Sequence, residues 1–577
     1  MKPTSLQKSH GVYYTSPSVV QYIVERTIGP LCERGGPVAG EPLRVLDPSC
    51  GDGAFLEGAL TFLAGKTPAR KRAASAAHRR RIFTQLFGID IDREVLRAAR
   101  DRLVRVALQG GVSPDNDESH GAATRDSAPR NLRWGDFLLD RDAFHADSTA
   151  KQLARDWKSE FPEVFAGRNP GFDVVVGNPP YVNARVLSQT RSPSLRAYLR
   201  RRYRCATKAY DLYVLFVERA WEWLRDGGRC GMIVPNKIAG LDYARQCREL
   251  LLQRTSLVEI VDLAGLKLFP GASVYPYIVI FEKKSPPPAH RVSLVQARCD
   301  HGRIEVAGRT VIAQASLSAS DGWRVQQSLD VESRVPTRRL IECGEVYSGT
   351  TGFMAHALAQ SLSEHDAASR EPRLEFIVSG NIGRYRIEYG GVRYMSHRWK
   401  RPVLNPDCPI LSDRKRALFR EGKIVVAGMS RRLEAAWDKG GTALGVQVFA
   451  VARLEDPWYV LGLLNSSLFS YLFRTRFAAK RLGGGYLSVN KGQLAELPIR
   501  RIDRKSEDEW LSRTRISRLA RRLTRMAGSA NIESLQQLDA ELDQEVYRLY
   551  RLSSRDVRCV ESVIHGIDEK PRGISPV

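Results

Sequence analysis

From Arg44 to Lys284, short apolar or β-branched runs alternate with longer stretches of helical periodicity. The runs are Val45-Leu46, Leu86 to Ile89, Phe172 to Val176, Cys230 to Val234, Val258 to Leu263 and Tyr277 to Phe281. Buried strands separated by helices predict a doubly wound α/β sheet with crossover helices. Between the last two runs, Pro270, Gly271 and Pro276 leave no obvious helix, so that pair is expected to form a hairpin. One helix can be delimited: Asp211 is its expected N-cap, Leu212, Leu215, Phe216, Ala220 and Trp223 share a face, and Gly227-Gly228 is expected to end it.

Lys66 to Arg81, Gly110 to Arg130 and Arg141 to Pro170 lack apolar periodicity and read as surface insertions. Ser285-Pro286-Pro287-Pro288 reads as a linker, because consecutive prolines stiffen the chain and cannot continue a strand. A boundary there divides the chain into residues 1–285 and 286–577. Beyond it, short strands, glycines and aromatic residues run to Pro498, and Glu507 to Arg525 and Ser534 to Tyr550 then read as basic or amphipathic helices. The second part is thus expected to be a mixed α+β domain.

A length of 577 residues suits two or three folded units. The hydrophobic share of 43% and charged share of 27% exclude a disordered chain. The balance of 89 Lys plus Arg against 64 Asp plus Glu leaves +25, which favours a polyanionic partner. Nucleic acid is the first candidate, since neutralised phosphates release counterions, and an anionic membrane surface is the second. Met1 to His10 lacks the apolar core of a signal peptide and the longest apolar runs are strand-sized, so a soluble cytoplasmic protein without a membrane partner is expected. The nine cysteines include no Cys-x-x-Cys pair, and reduced thiols without a structural metal are expected.

Three strand ends carry candidate chemistry. Asp47-Pro48-Ser49-Cys50-Gly51-Asp52-Gly53 joins a strand to a helix that includes Phe55. Glycine at 51 and 53 lets backbone turn sharply and approach a ligand, although the motif matches neither a P-loop nor the full dinucleotide fingerprint. An unliganded turn is the alternative. Asp90, followed by Ile91, ends the next strand where a carboxylate can accept two hydrogen bonds from ribose hydroxyls, with Asp92 a competitor. Asp136 and Phe137 offer an acid and a flat apolar face suited to an adenine ring, or else a turn acid beside a core aromatic.

The strand Phe172 to Val176 runs into Asn178-Pro179-Pro180-Tyr181. Two prolines cannot extend a ladder, so they fix a rigid turn where open α/β sheets bind ligands. An exocyclic amine of adenine is a poor nucleophile because its lone pair is delocalised. The Asn178 side-chain oxygen and the Pro179 carbonyl could each accept one amino hydrogen, favouring a tetrahedral nitrogen. Tyr181 offers a ring for a base that has been flipped out of a duplex.

These residues resemble the gamma class of N6-adenine DNA methyltransferases, in particular the TaqI-like group. The matching elements are Gly11 to Pro17, Asp47 to Leu56, Gly88-Ile89-Asp90, Gly135-Asp136-Phe137, Asn178 to Tyr181, Tyr210 to Tyr213 and Ile233 to Asn236. The resemblance implies a Rossmann-like methyltransferase sheet, S-adenosyl-L-methionine as cofactor and duplex DNA as substrate. It implies that Tyr14 and Thr15 border the methionine end of the cofactor, Asp90 holds its ribose, and Asp136 and Phe137 its adenine. Asp47, Pro48, Gly51, Gly53, Phe55 and Ile91 would complete that site. Tyr243 stands where the class carries a second aromatic against the flipped base, or is a core aromatic. Ser348 to Phe353, Leu461 to Ser466 and Leu497-Pro498-Ile499 look like the target-recognition domain of the group.

Basic clusters at Arg70 to Arg81, Arg196 to Arg204, Arg474 to Arg481 and Arg513 to Arg525 are candidate phosphate contacts, with Arg200, Arg201 and Lys208 nearest the catalytic motif. No nuclease constellation of carboxylates with Lys is evident, so cleavage is expected to need a separate endonuclease or another defence-system protein. Rival readings are an RNA adenine methyltransferase, a protein glutamine methyltransferase and a catalytically silent DNA-binding subunit.

Overall fold

The computed structural model describes residues 15–33, 43–65, 79, 81–108, 131–263, 266, 276–300, 303–320, 323, 329–350, 352–366, 372–477, 486–528 and 531–568. The chain divides into two compact units, Met1–Gln326 and Gln327–Val577. Among the described residues, no helix is long and apolar enough to cross a membrane.

The first unit is built on a nine-stranded sheet. Its strands are β1 (Val45–Asp47), β2 (Leu86–Asp90), β3 (Leu132–Trp134), β4 (Phe172–Gly177), β5 (Leu224–Pro235), β6 (Ser256–Asp262), β7 (Pro276–Glu282), β8 (Arg291–Asp300) and β9 (Arg303–Ala313). They lie in the order β3-β2-β1-β4-β5-β7-β6-β8-β9. β1 to β5 pair in parallel, and β7 slots antiparallel between β5 and β6, so the expected doubly wound sheet and terminal hairpin are both present. The order turns back between β1 and β4, and parallel strands bring the ends of β1, β2, β3 and β4 to one edge.

β4 and β7 are buried at every position, which explains their unbroken apolar runs and requires cover on both faces. One face is covered by α1 (Pro17–Thr27), α2 (Ala54–Gly65) and α3 (Arg93–Leu108), whose Val19, Ile23, Leu56, Leu60 and Leu103 share a core with Val45, Val174, Val176 and Ile233. Chain alternation turns Phe87 to the opposite face. There, Phe87 meets Phe172 at 5.2 Å, and Phe137 meets Trp223 at 4.8 Å between ring centroids. α4 (Ala184–Thr190) and α5 (Pro193–Arg202) follow β4, while α6 (Tyr213–Trp223) and α7 (Arg245–Arg254) flank β5.

Three expectations change. The proline stretch at 285–288 is not a domain boundary, because β8 returns beside β6 in parallel register from Glu259↔Ser293 to Asp262↔Gln296 and β9 completes the sheet. The division lies between Gln326 and Gln327. Asp211 does not cap α6: Leu212 precedes the helix without a side-chain cap, and β5 already starts at Leu224. Arg141 to Pro170 is not mere surface, since Trp157 and Phe161 are 1% and 0% exposed. Isolated aromatic anchors hold that segment, so no periodic stripe announced it.

The second unit contains two four-stranded sheets and a helical end. α8 (Pro457–Asn465), α9 (Ser467–Arg476), α10 (Glu507–Met526), α11 (Ile532–Leu549) and α12 (Ser554–Asp568) share a core that includes Leu461, Leu472, Ile516, Leu542 and Ile564. The Asn465 carboxamide acts as a spare strand edge: Oδ1 accepts from the Ala435 amide at 3.0 Å, and Nδ2 donates to its carbonyl at 2.9 Å. The mixed α+β expectation for this half holds.

Candidate active site

The glycine loop closes around the end of β2. The Gly51 amide donates to Asp90 Oδ2 at 2.9 Å, and the Asp92 amide to Oδ1 at 2.9 Å. Each oxygen of Asp90 keeps a second acceptor site, so the carboxylate is oriented yet still able to accept from a vicinal diol. Asp92 is removed as competitor because its side chain caps α3 through the Glu94 and Val95 amides, at 2.9 and 3.3 Å. Gly51 has φ +53°, and a Cβ added there would meet nothing within 4 Å. Gly53, at φ +85°, lets α3 approach: an added Cβ would lie 3.2 Å from Ala99 Cβ. Ile91 is 40% exposed beside Asp90, an apolar face at the same strand end.

Asp47 is 1% exposed and accepts from the Ser49 amide at 3.1 Å. Burial, with the charges of Asp90 and Asp52 acting in the same sense, pushes its carboxyl up to about 8 against the Ser49 hydrogen bond. Burial also raises Asp90, opposed by the amides of Asp92 and Gly51. Pro48 is buried in the turn.

Asn178 follows β4 directly. Its Nδ2 donates to Thr15 Oγ1 at 3.1 Å, a bond spanning 163 residues, and this donation fixes which end of the carboxamide is the acceptor. The Asn178 backbone carbonyl accepts from Ser49 Oγ at 3.3 Å, joining the glycine loop to the Asn178–Tyr181 turn. Gly177 makes the approach possible, since a Cβ there would lie 2.8 Å from Asp47 Oδ1. Pro179 is buried and Pro180 half-buried. Tyr181 donates its hydroxyl to the Ile233 carbonyl at 3.1 Å and stands edge-on to Tyr213 at 6.5 Å, which sets its half-buried ring.

The structure relocates several sequence candidates. Phe137 is 1% exposed between Phe216 and Trp223, so its ring belongs to the core rather than to a ligand face. Phe55, 3% exposed, likewise packs inside the helix-covered core. Tyr243, 8% exposed, sits one ring behind Tyr213, and its hydroxyl donates to Asp211 Oδ2 at 2.8 Å, so it offers no open face to a base. Tyr14 lies outside the described residues. Asp136 is brought to the strand-end edge, where Oδ1 accepts from the Leu138 amide at 3.0 Å and Oδ2 from Arg191 Nη2 at 2.8 Å. Sequence reasoning missed Arg191, Ser49 and Tyr213; the last two lay within quoted motifs, and Arg191 in none.

Of the basic candidates, Arg200 and Lys208 line a cavity of about 360 Å³ with Arg196, Ala184, Leu187 and Tyr210. Arg201 stays outside it, its guanidinium 5.6 Å from the Tyr198 ring. Arg202 is structural, bound to Asp140 and Glu222. In the second unit, Arg474 is 8% exposed and donates to the Arg431 carbonyl, so that cluster is partly internal. Most of the stretch from Arg70 to Arg81 lies outside the described residues, as do Lys480 and Arg481.

Residues 84–269 match the family described as Eco57I restriction-modification methylase, and residues 375–499 match the TaqI-like C-terminal specificity domain. The two matched stretches resemble, in that order along the chain, a methylase and a specificity domain. Among similar proteins is the Type II restriction enzyme and methyltransferase RM.Eco57I of Escherichia coli, 25% identical over 49% of this chain and 29% of its own length. The Type II methyltransferase M.BanIII of Aneurinibacillus aneurinilyticus is 28% identical over 46% of this chain and 37% of its own length. The chain therefore spans well under half the length of these curated relatives. The Type IIL restriction-modification enzyme MmeI, solved in complex with DNA, has the same fold at 11% identity, with a TM-score of 0.58 over 98% of this chain and 80% of that one.

Proposed function

We propose that this methylase transfers a methyl group from S-adenosyl-L-methionine to the N6 amine of a flipped adenine in duplex DNA, at a sequence read by its specificity domain. The observation that carries the reading is the Asn178 carboxamide, held by Thr15 at the end of β4 and tied through Ser49 to the glycine loop. The cofactor, when bound, supplies an electrophilic methyl on sulfonium. The residues present fit it: Asp90 has acceptor capacity for ribose hydroxyls, Gly51 leaves open space, Ile91 presents an apolar face, and Asp136 can accept from an amine.

Asn178 Oδ1 and the Pro179 carbonyl would each accept one amine hydrogen, turning the nitrogen lone pair towards the methyl that a bound cofactor would supply, and the surplus amine proton would leave to solvent from this pair of acceptors. Both acceptors are neutral, which avoids a fixed negative charge beside the base. Tyr181 supports the extruded ring. Arg196, Arg200 and Lys208 suit a DNA phosphate near this turn, because three cations converge on one cavity. The specificity domain favours DNA modification, within a restriction or defence system, over methylation of a protein glutamine.

Tritiated cofactor offered with unmethylated genomic DNA, RNA and a glutamine-containing peptide tests the reading. Label recovered as N6-methyladenine in DNA is expected. Label confined to RNA or peptide, or found on cytosine, would overturn it.

A further inference from the structure

The ion pair between Arg191 and Asp136 joins the end of α4 to the end of β3 in a nearly closed setting: the side chains are 16% and 3% exposed. Nη2 of Arg191 bonds Asp136 Oδ2 at 2.8 Å, whereas Nη1 is buried with no acceptor among the described residues. A buried guanidinium donor left unmatched is costly, and it stands beside a carboxylate that retains acceptor capacity. The two side chains thus offer one acceptor and one donor side by side.

A 6-aminopurine carries the complementary edge, an amine donor next to a ring-nitrogen acceptor, N1 on one side and N7 on the other. We infer that Arg191 is a specificity-determining residue for the cofactor, donating from Nη1 to a ring nitrogen of its adenine while Asp136 accepts from the amine. The inference rests on the cofactor reading above and goes beyond it by assigning the purine to a pair of side chains. Hypoxanthine puts an oxygen acceptor where the amine stands, beside an N–H donor at the N1 edge or an acceptor at the N7 edge, so at either edge it opposes the Asp136 carboxylate and is rejected. Arg191 also lies near Tyr210 together with Arg196 and Arg200, so the residue reading the purine belongs to the basic segment that follows the Asn178–Tyr181 turn.

Calorimetric titration of the full chain with S-adenosyl-L-homocysteine, its 1-deaza and 7-deaza analogues and S-inosyl-L-homocysteine provides the test. Wild type is expected to bind one deaza analogue ~10- to 100-fold more weakly than the parent, the range for a lost charge-assisted hydrogen bond, and to reject the inosyl compound. The weaker analogue identifies which ring nitrogen is read. Arg191→Met is expected to bind the parent more weakly and to treat parent and deaza analogue alike. Arg191→Lys keeps a cation beside Asp136 but loses the fork, so it should retain the fold, checked by thermal melting, without the discrimination. Equal binding of both deaza analogues and the parent by wild type would overturn the inference, as would tighter parent binding by Arg191→Met, the mark of a side chain that merely fills the site. No binding of the parent by wild type would instead remove the cofactor reading, and the inference with it.

Discussion

Thr15 holds the nitrogen end of the Asn178 carboxamide and so helps to place the oxygen end for an arriving base. Thr15→Val keeps the shape and removes the acceptor. The expected outcome is about a 5-fold loss of turnover, the equivalent of one ordinary hydrogen bond. Thr15→Ser should restore it, and single-turnover methylation rates measure both. Asp47 makes a different prediction. Its carboxyl is pushed from 3.8 up to about 8, so the folded chain holds a proton that the unfolded chain releases. That contribution to stability is fully present below the unfolded value and is lost as pH rises through about 8, because the unfolded state binds fewer protons across the window. Asp47→Asn removes the cost of ionising a buried acid, so its melting temperature should gain on wild type as pH is raised from 5 to 8, the opposite trend to a salt-bridged carboxylate.

At the scale of elements, the loop after β1 divides its work between two glycines. Gly53 needs its conformation for packing, since φ is +85° and Ala99 would crowd a side chain at 3.2 Å. Gly53→Ala should therefore destabilise the fold by about 1–3 kcal/mol, read by thermal melting. Gly51 borders open space, so Gly51→Ala should weaken S-adenosyl-L-homocysteine binding more than it lowers stability, a contrast that titration of both variants can show. The central strands and the site motifs were legible because strands buried on both faces leave unbroken apolar runs, and glycines and prolines mark their ends. β9 was not, because its burial pattern is mostly exposed or intermediate and it follows three prolines, which reads as the start of something new. Phe137 and Phe55 show a further limit: motif position placed them at the ligand, but only packing reveals that their rings face inward. Arg191 could not have been found, since nothing local links it to an acid 55 residues away.

For the whole molecule, the division after Gln326 rather than at the prolines has a direct consequence. A fragment of residues 1–326 should fold and bind S-adenosyl-L-homocysteine. One ending at residue 285 lacks β8 and β9, exposes the edge of β6 and should aggregate, which light scattering would report. The charge of +25 suits the proposed DNA substrate, so transfer should fall steeply with salt. In the proposed function, Asn178 makes an adenine amine reactive. The most direct test of that role is a map of modified bases in a host without adenine methylation, expressing either the wild-type chain or Asn178→Ala. Wild type should leave N6-methyladenine at one recurring sequence, and the variant should leave none while still binding S-adenosyl-L-homocysteine. Equal methylation by the variant, or marks on cytosine from the wild type, would contradict it.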